Sequence, residues 1–138
     1  MHKQKGQALV EFALIIPFFL LLIFGLIYSG LLFHDYNTLS NTARSAAREA
    51  ALLPVTASDN DYKSIKDHYL GKTTVTSLYT YNPTTDFVVQ REGSGNDVYV
   101  KVRIHMVRNV TSYIMNVVLP PSFDIIYYMK KDSPATGS

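Results

Sequence analysis

Few side chains here are of the kinds that do chemistry, and their spacing argues against a reaction centre. His2, His34, His68 and His105 are scattered, cysteine is absent, and no His-x-x-x-His pair occurs. Neither a metal site nor a catalytic thiol is therefore expected. Asp59-Asn60-Asp61 has a faint likeness to a calcium loop, but Ser64 and Leu70 stand where that loop needs glycine and glutamate. A helix cap at Asp59 explains the triplet better. No Gly-x-Ser-x-Gly elbow, phosphate loop or dinucleotide fingerprint is present. Gly93-Ser94-Gly95-Asn96 reads as a hairpin turn, because strand pattern resumes directly after it. No cofactor is expected, and the chain does not read as an enzyme. The carboxylate that stands out is Glu11, at the mouth of an uncharged apolar run, Phe12 to Phe33, with Lys3, Lys5 and Gly6 just before it.

That run sets the architecture. Its roughly 22 residues span about 33 Å as a helix, enough to cross a hydrocarbon layer of about 30 Å. Pro17, Gly25 and Gly30 interrupt it without disqualifying it, since membrane helices tolerate such residues. Pro17 has two readings, a kink in the span or a loosening that lets the helix leave the bilayer. Lys3 and Lys5 are the only charges before the span, which predicts a cytoplasmic N-terminus and an outer C-terminal part, with Arg44 and Arg48 weakening the asymmetry slightly. A cleavable secretory signal competes poorly, because the run exceeds the usual apolar core and His34-Asp35-Tyr36 offers no Ala-x-Ala site.

Of 138 residues, about 85 remain beyond the helix for one small domain. Without cysteines that domain has no disulfides and must lean on packing or on subunit contacts. Beyond Phe33 stand 11 Lys/Arg and 10 Asp/Glu, so nothing there calls for nucleic acid.

Leu32, Tyr36, Leu39, Ala43, Ala46, Ala50 and Leu53 recur at steps of four and three, one face of a helix continuing from about Gln7 to Leu53 and stopped by Pro54. Asn37, Asn41, Arg44, Arg48 and Glu49 fall off that stripe. Its alanines allow a sheet or helix close approach. Arg44 and Arg48 either lie on a solvated face or contact acidic groups of the domain or a neighbouring subunit.

A short helix is expected from Asp59 to Leu70, burying Ile65, Tyr69 and Leu70 and closed by Gly71. Strands are expected at Thr74–Tyr81, Phe87–Arg91, Val98–Val107 and Phe123–Met129, with a turn at Asn82-Pro83. The alternation of Val98, Val100, Val102, Ile104 and Met106 marks the third as central to an antiparallel sheet. Thr111–Leu119 reads as a further short helix, ended by Pro120-Pro121, and Lys130–Ser138 as a frayed tail. The abundant Tyr and Phe are expected mostly between sheet and helix, with an exposed cluster marking a subunit contact.

Gly6-Gln7-Ala8-Leu9-Val10-Glu11-Phe12 resembles the junction at which prepilin peptidases cut type IV pilin-like precursors, after a glycine and with glutamate at the fifth mature position. Asn41 to Ala51, with paired arginines among alanines, is similar to the region after the span in TadE-like proteins, minor pilins (pseudopilins) of the tight-adherence or Flp pilus system. The resemblance covers Lys5 to about Ala51, and no family motif falls in residues 55–138. It implies cleavage between Gly6 and Gln7 by an aspartyl prepilin peptidase. It also implies partners among other pilin and minor pilin subunits, a secretion ATPase and the assembly platform proteins. Glu11 then has two readings: a carboxylate snorkelling at the membrane edge, or the partner of a neighbouring subunit's new Gln7 ammonium. Desolvation of both ions subtracts from the pairing energy, so its use is axial register.

The expected fold is α+β, a long N-terminal helix, transmembrane in its first half, packed on a small antiparallel sheet with one or two short helices. Its parts are a basic leader (1–6), a transmembrane half (7–33), an extramembrane half (34–54), a small extracytoplasmic domain (55–130) and a flexible tail (131–138). The expected function is pilus assembly, for adhesion or secretion, by a single-pass protein of the cytoplasmic membrane that can enter the pilus. The alternative is an uncleaved anchored ectodomain that binds an extracellular ligand.

Overall fold

Apolar and alanine-rich sequence without an internal stop builds one helix, α1, over His2–Leu52. The computed structural model describes residues 2–54, 56–70, 75–94, 97–109, 116 and 119–131. The helix starts five residues before the expected Gln7, because Lys3, Gln4 and Lys5 are good helix formers. It is continuous through Pro17. By internal contacts the chain divides into two units, Met1–Phe33 and His34–Ser138.

The second unit is an α+β arrangement. Its remaining elements are α2 (Asp59–Leu70), β1 (Tyr79–Thr80), β2 (Phe87–Ser94), β3 (Asp97–Arg108) and β4 (Ser122–Lys130). All three other strands pair antiparallel with β3, which makes it central as its alternation predicts. Phe87 faces Ile104, and Ile104 in turn faces Ile125 across the sheet. One face is thus a continuous apolar layer: Val98, Val100, Val102, Ile104 and Met106 of β3 with Phe87, Val89 and Ile125 are all buried.

Helices close that face. In the outer part of α1, Leu39, Ala43, Ala46, Ala47 and Ala50 are fully buried, while Asn37, Asn41, Arg44, Arg48 and Glu49 are exposed. Phe123 of β4 stacks edge-on to Tyr79 at 4.9 Å and lies 6.3 Å from the Tyr36 ring, which sets α1 beside β4. Packing of α2 on β2 covers the other side. The two helices are also tied by Tyr69, whose hydroxyl pKa is raised above its ordinary value by burial and then by its hydrogen bond with Glu49.

Several local expectations change. Ser58, rather than Asp59, precedes the first turn of α2: its backbone N–H and its hydroxyl donate to the Asp61 carboxylate at 2.8 and 3.0 Å, the carboxylate half of a capping box. Tyr62 and Ile65 are the buried residues of α2, with Tyr69 and Leu70 half-buried. Among the described residues of Thr74–Tyr81, strand structure is limited to Tyr79–Thr80, since Thr76 is bonded elsewhere; Thr74 lies outside them. Gly93, the penultimate residue of β2, has φ +96°, and a Cβ there would lie 2.0 Å from the Asp97 carbonyl oxygen, so glycine is required. Lys131, expected in a frayed tail, is 2% exposed. Its ammonium donates to the Pro54 carbonyl at 3.0 Å and to the Tyr62 hydroxyl at 2.9 Å, pinning the end of β4 beneath both helices. Gly71, Gly95-Asn96, most of Thr111–Leu119 and residues 132–138 lie outside the described residues.

Candidate functional site

In the first unit Gly6 and Gln7, the expected junction residues, are helical and exposed. Glu11 lies one turn on, and the Gln7 side-chain amide donates to its carboxyl at 3.4 Å. Open space surrounds the place where a Cβ on Gly6 would stand, so packing within this chain does not demand glycine there. The segment beginning at Gly6 is long and apolar enough to cross a membrane, and none of its most apolar stretch is buried. Phe18 is 75% and Leu26 66% exposed, which in water would be a large unpaid apolar area. Pro17 sits inside this segment.

In the second unit Arg44 and Arg48 both face outward. The Arg44 guanidinium lies 5.6 Å above the Tyr127 ring, a cation–π contact rather than an ion pair. With Tyr36 and Ser40 it borders a groove of about 370 Å³ whose other wall is residues 124–127 of β4.

Sequence reasoning missed two clusters. Asp35 is fully buried and accepts from the Thr76 backbone N–H at 2.8 Å and its hydroxyl at 2.5 Å. The signal lay in its position: Asp35, Leu39, Ala43, Ala46 and Ala50 share the helical spacing of the buried stripe, and a polar residue on such a stripe needs a partner. The second cluster lines the open face of the sheet. His105 Nδ1 is 2.8 Å and Arg103 Nε 3.3 Å from the same Asp124 oxygen. The His105 hydrogen bond, followed by the charges of His105 and Arg103, holds the Asp124 pKa below the ordinary carboxylate range. Beside it, Lys101 bonds Glu92 at 2.9 Å and lies 5.6 Å over the Tyr128 ring. That hydrogen bond lowers the Glu92 pKa and raises that of Lys101. Alternation along β3 predicts this face, but its cross-strand partners depend on register.

A bare apolar helix of spanning length, with a small α+β unit, fits the class of membrane-anchored proteins. A family model described as TadE-like protein matches residues 6–48, from Gly6 through both exposed arginines. The match supports a TadE-like protein, and that family suggests association with the Tad pilus and its components. Comparison with curated proteins and with solved structures gave no match.

Proposed function

We propose that the chain is a minor pilin of the Tad type, cut between Gly6 and Gln7 by a prepilin peptidase and then taken into pilus assembly with other pilin subunits and platform proteins. The observation that carries this reading is the join of Gly6, Gln7 and Glu11 to the head of an apolar helix that buries none of its most apolar stretch within its own chain. Surface of that kind needs lipid first and neighbouring helices later. Glycine at position 6 is a requirement set from outside, since packing here leaves the site open. It also weakens the helix locally, by about 1 kcal/mol relative to alanine, which eases unwinding of the bond to be cut.

After cleavage the Gln7 ammonium and the Glu11 carboxylate lie about one turn apart on one rod. A shifted neighbour can then match ammonium to carboxylate, fixing axial register. The membrane orientation belonging to this reading keeps Lys3 and Lys5 cytoplasmic and the second unit outside. Sequencing the amino terminus of membrane-extracted protein from a host with an active prepilin peptidase tests it. A chain beginning at Gln7 is expected. An intact Met1 in that host overturns the pilin reading and leaves a permanently anchored ectodomain.

A further inference from the structure

We propose that the outer edge of β4 is a docking strip for an extended segment of another protein subunit, one that presents apolar side chains to Ile126 and Tyr128 and a carboxylate to Arg44. The backbone supplies the first argument. Lys131 N–H donates to Val98 at 2.8 Å and Arg108 N–H to Pro121 at 2.9 Å, so both ends of the β3–β4 ladder share one parity. In an antiparallel ladder peptide groups alternate in direction. Phe123, Ile125, Tyr127 and Met129 therefore bond to β3, and the N–H and C=O groups of Asp124, Ile126 and Tyr128 point away from it. Among the described residues β4 pairs only with β3, and no hydrogen bond takes those outward groups.

Between Ile125 and Met129 the edge carries none of the usual defences against strand addition, which are charged side chains, proline or a bulge; its charges, Asp124 and Lys130, stand at either end of that stretch. Residues 125–128 are Ile-Ile-Tyr-Tyr, with Ile126 47% and Tyr128 55% exposed. A strand added here would send alternate side chains to the two faces of the sheet. On the open face they meet Ile126 and Tyr128, which favours aliphatic partners. On the helix side they enter the groove under Arg44. No carboxylate lies within ion-pair distance of its guanidinium among the described residues, so an acidic side chain complements it. A second copy of β4 does not supply one, because its helix-side residues are Phe123, Ile125, Tyr127 and Met129.

The inference does not depend on the pilus reading, and its test uses the full chain in detergent. The probe is an acetylated peptide of about eight residues alternating valine and glutamate, long enough for one strand, with valine alternating with lysine as control. Amide hydrogen exchange by NMR should show protection at Ile126 and Tyr128 rising about tenfold or more with the acidic probe at about 1 mM. Protection should fall at least several-fold in Arg44→Ala. At Tyr128, the amide still measurable, it should vanish in Ile126→Pro, which removes an outward N–H and leaves the bonds to β3. No added protection, or equal protection by the lysine peptide, overturns the proposal. So does protection of these amides in peptide-free monomer, which assigns the edge to the chain's own tail. Protection that grows with protein concentration together with a dimer in sedimentation assigns it to a second copy, and equally overturns the proposal.

Discussion

The carboxyl group of Asp35, fully buried on α1, takes both the backbone N–H and the hydroxyl of Thr76, 41 residues away in sequence. It fastens the segment leading into β1 to the helix just beyond the apolar run.

Removing either partner strands the other. Asp35→Ala leaves two half-buried donors of Thr76 without their acceptor, each costing about 1–3 kcal/mol when water cannot replace it, and should lower stability by roughly 2 kcal/mol. Thr76→Val keeps the backbone bond and should lose less, about 1 kcal/mol. Urea denaturation of both variants and of the double mutant would show the coupling. Strict additivity would mean that the pair is not a clasp.

The alanines of α1 are a spacing device as well as apolar surface. Ala46→Leu or Ala47→Leu inserts bulk at fully buried sites and should destabilise by about 1–3 kcal/mol, whereas Asn41→Leu on the exposed face should stay within about 0.5 kcal/mol. Thermal melts of the three variants decide it, and equal melting temperatures would place the helix farther from its neighbours than its burial indicates.

Acid should loosen the second unit through the carboxylates of its open face and turn. Asp124 and Glu92 are held low by the hydrogen bonds described above. Asp86 is held low first by the Asn82 backbone N–H, at 2.7 Å. A folded pKa below the unfolded value gives stability that is full above the unfolded value and lost as pH falls through the folded one. With ordinary values of 3.8 for Asp and 4.5 for Glu, their contribution should hold above about pH 5 and decline below it. Urea midpoints measured downward from neutral pH should follow that course, with a shallower acid limb in Asp124→Asn. An acid limb unchanged by the substitution would remove Asp124 from the explanation.

Glu11→Gln separates processing from packing. If the proposed cleavage after Gly6 occurs it should persist, because the residues on either side of that bond are unchanged, while piliation should drop severalfold if the Glu11 charge sets register as proposed. Immunoblots for the shortened chain, read beside pilus counts, test both halves. Full piliation would confine Glu11 to snorkelling at the membrane edge.

What could be seen in the sequence was whatever carries its own period. The run after Glu11, the alanine stripe and the alternation of Val98 to Met106 each specify an element and a face without reference to distant residues. Thr74–Tyr81 failed as a long strand because Thr, Val and Tyr state only a preference. The partner decides, and β3 offers that segment two residues while Asp35 claims Thr76. Lys131 carries no period, and its burial is fixed by a carbonyl 77 positions away that no local window contains, whereas Asp35 sits on the spacing of the buried stripe and only its partner, 41 positions away, is out of reach. The grouping of Asp124 with His105 and Arg103, and the outward amides of β4, follow only once register is known.

Lys131 carries a practical lesson for anyone handling this protein. It resembles the start of a disposable tail, yet its ammonium holds the carbonyl just past one helix and a tyrosine hydroxyl on another. Trimming the chain at Met129 or Lys130 to aid crystallisation would pull a keystone from the interior. Any truncation or epitope tag belongs downstream of Lys131, so that this anchor stays in place.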